Sequence, residues 1–191
     1  ELIASGIISV FRKLYGYSWG PRLEHILRNC LLTLLKTEDS KLSDIVDLLT
    51  DPSFRRQVVS KLDDTILINF WTNEFESMQE KFRTEAIAPV LNKGGQFVSS
   101  PLIRDVVNVR KSSFSIEEVM HEGKILLVNL SQGKLGEDNA ALLGAMLITK
   151  IQLAALARSH IAEADRRDFY LYVDEFQNFA TESFTNILSE A

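Results

Sequence analysis

Residues 169–175 read FYLYVDE. Five aromatic or aliphatic side chains run up to two adjacent acids, Asp174 and Glu175. A second apolar run, KILLVNL at 124–130, lies upstream. Neither run alternates with polar residues, which is the pattern of a central parallel strand covered by helices on both faces. Between them, Ala140, Leu143, Leu147, Ile151 and Ala154 recur at helical spacing to about Arg158. Strand, long helix, strand is a βαβ crossover, and a connection of that length requires parallel strands. The expected fold class is therefore α/β over residues 123–191.

Ligands of an open parallel sheet bind at the carboxyl ends of its strands, where Asp174 and Glu175 would emerge. Two neighbouring acids are costly to leave dry, so a cation or polar ligand is expected beside them. An aspartate in this position holds Mg²⁺ through water, shared with nucleotide phosphates. A glutamate next to it polarises the water that attacks the γ-phosphate. This is the logic of a Walker B motif. The plainer reading is that both acids cap the following loop or pair with surface arginines. The phosphate cradle G-x-x-x-x-G-K-[ST] is missing: Gly123-Lys124 is followed by Ile125 and Gly133-Lys134 by Leu135. Lys93-Gly94-Gly95 has the reverse order.

Upstream of residue 123 the pattern is helical. Gly20-Pro21 opens a helix whose stripe is Leu23, Ile26, Leu27, Cys30, Leu31 and Leu34. Ser43 and Asp51-Pro52 start two more. Asp64–Met78 reads as one helix carrying Ile66, Leu67, Phe70, Trp71 and Phe75. A helix over 82–91 should kink or end at Pro89, and Lys93-Gly94-Gly95 reads as a turn. Ser100-Pro101 starts a helix, and Ser115–Glu118 is a capping box with Phe114 and Val119 as its staple. Gly123 ends that helix. Thr181 would cap a final one.

The 191 residues carry a formal net charge of −5, so the bulk field does not attract nucleic acid. DNA contact would need a local basic patch or a pore lined by a few residues per subunit. Cys30 is the only cysteine and excludes an internal disulfide. No apolar run is expected to span a membrane. The chain starts at Glu1 and stops inside an apparent helix, so it reads as an excised piece of a longer protein. His25, His121 and His160 lack metal-ligand spacing. Trp19 and Trp71 read as packing residues, Cys30 as a buried thiol, and the pairs Arg55-Arg56 and Arg166-Arg167 as solvated faces.

Four stretches carry a family resemblance: SWGPRLEHILRN (18–29), APVLNKGGQFVSSPLIRD (88–105), GKILLVNLSQGKLGEDNAALLGAMLITKIQLAALAR (123–158) and FYLYVDEFQNFATESFTNILSEA (169–191). They resemble P-loop DNA-pumping ATPases of the HerA/FtsK superfamily, in particular the TraG/TraD-like coupling proteins of conjugation and type IV secretion. The resemblance implies a partial RecA-like core, residues 123–191, with an all-helical inserted domain at 20–122 and a lead-in at 1–19. It implies ATP and Mg²⁺ as cofactors, Asp174 as the magnesium acid and Glu175 as the catalytic base. The cofactor-binding residues of Walker A are absent from this chain, so it should not turn over ATP alone. The resemblance further implies a homo-hexameric ring that drives DNA through its channel. A trans-acting arginine is expected in such rings, with Arg22 and Arg104 as candidates, each equally an ordinary partner for a structural acid. Location would be cytoplasmic, with the parent at the inner face of the inner membrane. The alternative is a non-enzymatic helical module that binds a relaxosome or secretion-substrate protein. A DExx-type helicase is a third, weaker reading.

Overall fold

A computed structural model describes residues 2–16, 19–109 and 112–179. The helices are α1 (Leu2–Tyr15), α2 (Pro21–Leu35), α3 (Asp44–Thr50), α4 (Pro52–Val59), α5 (Thr65–Asn69), α6 (Glu80–Ser99), α7 (Pro101–Val107), α8 (Ile116–Glu122), α9 (Gln132–Leu135) and α10 (Glu137–Ala157). They fall into two compact units. Residues 19–109 form one, and 2–16 with 112–179 form the other.

The α/β expectation is wrong for this chain. Among the described residues there is no strand and no sheet, so the structure is all-helical and carries no parallel-strand RecA-like core. Residues 125–130 and 168–173 are extended but make no backbone hydrogen bond among the described residues, while the Lys124 N–H still bonds the Val119 carbonyl at 3.0 Å. A strand exists only through a neighbour that takes its N–H and C=O groups. The runs were also expected to be buried on both faces. Instead Ile125 is 88% exposed, Leu127 90% and Tyr172 89%.

In the first unit the core gathers around α2. Leu23, Ile26, Leu27, Cys30, Leu31 and Leu34 are buried as the stripe requires. Asp51 and Asp64 cap α4 and α5, each carboxylate accepting two backbone N–H bonds. Ser43 makes no cap bond. The stretch expected as one helix over 64–78 changes pitch: Phe70–Phe75 is a π-helix, with the Glu76 N–H on the Trp71 carbonyl at 3.1 Å. The wider turn brings Phe70 and Phe75 to one side, ring centroids 6.1 Å apart, with Trp71 between them. The Trp71 indole donates to Thr33 Oγ1 at 2.8 Å, which satisfies both buried groups. Helix α6 runs through Pro89 and the expected Lys93-Gly94-Gly95 turn. Burial of Ala86, Ile87 and Val90 outweighs the backbone bond lost to proline.

In the second unit α10 is the central element. It is apolar all round, and α1, α8 and the extended runs cover it. Helix α1, in the segment expected to be a lead-in, packs on α10, with Gly6 against the Thr149 side chain. The stretch Glu137–His160 is long and apolar enough to cross a membrane by length and composition, contrary to the expectation of no such run. Within this unit that apolarity meets protein: Ala140, Leu142, Ala145, Ile148, Ile151 and Ala154 are buried. Helix α8 follows part of its sequence signals. Ser115 Oγ accepts from the Glu118 N–H, but the reciprocal half of the expected capping box does not form, because the Glu118 carboxylate binds Lys124. Phe114 of the expected staple is 48% exposed. Gly123 closes the helix with φ +66°, open to glycine at little cost. The expected Thr181 helix lies outside the described residues.

Candidate functional site

The site is built where the two extended runs cross α10. Their starts are pinned together. Arg167 lies over Gly123 and donates through Nη1 to the Glu122 carbonyl at 3.0 Å, while Arg158 donates to the Arg167 carbonyl. Leu126 and Phe169 then pack on one cluster of Ile116, Met120, Ile151 and Ala154. Farther along, Leu130 and Phe179 both lie against Gly144, two turns nearer the N-terminus of α10. The first run therefore travels opposite to α10, and the chain that carries the second returns to Gly144 by Phe179, beyond the Glu175 turn. The two runs flank an open cleft of about 1250 Å³, floored by Gly144, Leu147, Ile148 and Ile151.

Asp174 and Glu175 line that cleft, both exposed. The Asp174 carboxylate accepts from the Glu175 N–H at 3.0 Å. Glu175 has φ 51° and ψ 41°, left-handed backbone that costs a non-glycine residue about 1 kcal/mol. Its carboxylate accepts from the Gln177 side chain, and its carbonyl accepts from Asn178 N–H at 3.0 Å to open the 3₁₀ turn Phe176–Asn178. Lys13 of α1 donates to the Gln177 carbonyl at 3.0 Å, and burial lowers its pKa. The turn after the acids is thus tied down from α1. Neither acid forms an ion pair among the described residues. The sharp left-handed turn had no signal in the sequence.

Two water-facing carboxylates fit part of a magnesium shell, since Mg²⁺ keeps several waters and takes one or two carboxylates beside phosphate oxygens. They do not make a closed protein cage. Among the described residues no three His, Cys, Asp or Glu side chains gather as a metal site.

The arginine candidates belong to the first unit. Arg22 sits over the Phe82 ring at 4.4 Å, a cation–π contact, and Arg104 is exposed on α7. The histidines behave as expected of surface residues: His25 bonds Glu74 at 2.9 Å, and His121 and His160 are exposed. Arg55 corrects the solvated-face reading of its pair. It is 2% exposed, donates to Glu76 and to the Leu48 carbonyl at 2.7 Å each, and lies over Phe75. Arg166 and Arg167 also have structural work, holding the 159–167 return through carbonyls of Ser159, Ile161 and Glu122. No family model, no curated protein and no solved structure matches the chain.

Proposed function

We propose that these residues are part of an ATP-driven DNA-transfer motor of the coupling-protein kind. The observation that supports this most is the shared cleft: both apolar runs line it, and so do the paired acids that follow the second run, which have no cationic partner among the described residues. Asp174 would hold Mg²⁺ through water, and Glu175 would orient and polarise the attacking water. Bound Mg²⁺ would offset the charge of the nucleotide phosphates. The two carboxylates have separate partners, the Glu175 N–H for Asp174 and the Gln177 side chain for Glu175, and Lys13 holds the turn that follows them. On this reading ATP is gripped by a G-x-x-x-x-G-K-[ST] segment outside these 191 residues. The ring is a homo-hexamer with DNA in its channel, at the cytoplasmic side.

The test uses the longer protein that the reading requires. Glu175→Gln should retain ATP binding and lose hydrolysis by about 100-fold or more, the size of a general-base contribution. Unchanged turnover removes the role of Glu175, and a reading frame without the phosphate cradle removes the motor.

A second reading is favoured by the first unit, which leaves Leu102 and Val106 of α7 and Val109 just after it exposed at 46%, 52% and 57%. Such a unit suits recognition of a relaxosome or secretion-substrate protein. It predicts that residues 19–109 retain a partner protein without nucleotide, and that Val106→Asp releases it.

A further inference from the structure

The turn after the paired acids contains one residue that is bonded at both of its ends. Gln177 donates through its side-chain amide to Oε2 of Glu175, and its backbone carbonyl accepts from Lys13 Nζ at 3.0 Å. The turn is closed by the Asn178 N–H on the Glu175 carbonyl at 3.0 Å and the Phe179 N–H on the Phe176 carbonyl at 2.9 Å. Phe179 in turn lies against Gly144 of α10. The backbone of Gln177 is therefore tied to α1 directly and to α10 through its neighbour, and those two helices pack on each other. Only its side-chain torsions are left, and the bond to Glu175 takes them up.

The consequence falls on Glu175. An exposed glutamate side chain ordinarily samples several rotamers. Here Oε2 is held by Gln177, while Oε1 has no partner among the described residues. A general base needs this division, with one oxygen fixed so that the group does not swing and the other open to a proton. Both side chains are exposed, so the bond is not there to satisfy a buried group. We propose that Gln177 is the positioning residue of Glu175: it holds Oε2 and leaves Oε1 to the attacking water, and Lys13 fixes the backbone from which it does so. This role rests on the reading of Glu175 as the general base. In the step itself the water oxygen bonds the γ-phosphorus, its proton passes to Oε1, and the bond from phosphorus to the ADP oxygen breaks.

The test has a structural arm and a catalytic arm. In residues 1–191 without nucleotide, the side-chain amide signals of Gln177 in NMR should shift on Glu175→Ala, which removes their acceptor. In the longer protein, Gln177→Leu should lower kcat for ATP about tenfold, with KM and helix content unchanged. Gln177→Lys keeps a donor on a longer stem and should recover most of that loss. Gln177→Glu sets a like charge beside Glu175 and should not. Glu175→Gln separates the two claims. If it hydrolyses ATP at the wild-type rate, the base reading fails and the role of Gln177 falls with it. If it is inactive while Gln177→Leu turns over normally, the role of Gln177 alone falls. A rise in kcat in Gln177→Leu also overturns that role and makes the residue a restraint on the base. So does a Gln177 signal that ignores Glu175→Ala.

Discussion

Arg55 is the residue whose environment departs most from its sequence context. It is one of two adjacent arginines, yet it is buried against Phe75 and bound to Glu76 and Leu48, while Arg56 is exposed. Arg55→Ala would leave the buried Leu48 carbonyl without its donor and Glu76 with only Arg83 at 3.5 Å, a loss of about 3 kcal/mol in urea unfolding. Arg56→Ala should change stability by no more than about 0.5 kcal/mol. Equal effects would contradict the burial. Helical spacing separates the two only when the stripe is known to continue through α4, and the eight-residue helix is too short to show it. Cys30 was legible, because it lies on the α2 stripe. Burial pushes its thiol pKa up, so thiol reagents should react only at the unfolding rate. Fast labelling of folded protein would place Cys30 at the surface instead. The acids of the candidate site were legible as a pair at the end of an apolar run. The left-handed turn at Glu175 was not, because φ there is set by the bonds from Glu175 N–H to Asp174 and from Gln177 to Glu175.

At the scale of elements, caps and stripes carried most of the information. Asp64 caps α5 and also meets Lys36 at 3.2 Å. The hydrogen bond from Lys36, with the Leu67 and Ile66 amides, lowers the Asp64 pKa, and Asp64 in turn raises that of Lys36. A depressed carboxylate stabilises the fold above its ordinary pKa of about 3.9, and that contribution is lost as pH falls through the lower folded value. Lys36 contributes fully below about 10.4 and loses its contribution as pH rises through the higher folded value. Asp64→Asn keeps a capping oxygen without the charge. Its melting temperature should therefore fall less steeply than wild type below pH about 4. Parallel acid profiles would discount the Lys36 pair. In α10, Gly144 illustrates the limit of propensity. In an isolated helix Gly→Ala gains about 1 kcal/mol. Here the added methyl meets the Phe179 ring and Leu130, so Gly144→Ala should lose about 1 kcal/mol or more. A stabilised variant would show that Phe179 and Leu130 do not seat on α10.

For the whole molecule, the sequence reading named the right pieces and assigned two of them the wrong state. Strand, helix, strand is what KILLVNL, the 137–158 stripe and FYLYV look like, but the structure only lays both segments beside α10. A sheet needs a further condition that no local pattern encodes, a partner for each backbone edge. Apolar runs that are both-face buried in a sheet are exposed without one, as Ile125, Leu127, Tyr170 and Tyr172 are. The helical character of residues 19–109 was legible because every α-helix there carries either a cap, a proline at its first turn or an apolar stripe. The π-turn at Phe70–Phe75 was not, because its cause is tertiary: three aromatic rings must share one core face. Over α10 the two runs line one cleft, extended and unpaired among the described residues, with Asp174 and Glu175 in its wall. Residue-resolved amide exchange on residues 1–191 tests that arrangement most directly. The account predicts exchange within about tenfold of the unfolded rate at 125–130 and 169–173, against strong protection at 145–154 in α10. Protection of both runs equal to that of α10 would mean that a ladder joins them, and would contradict it.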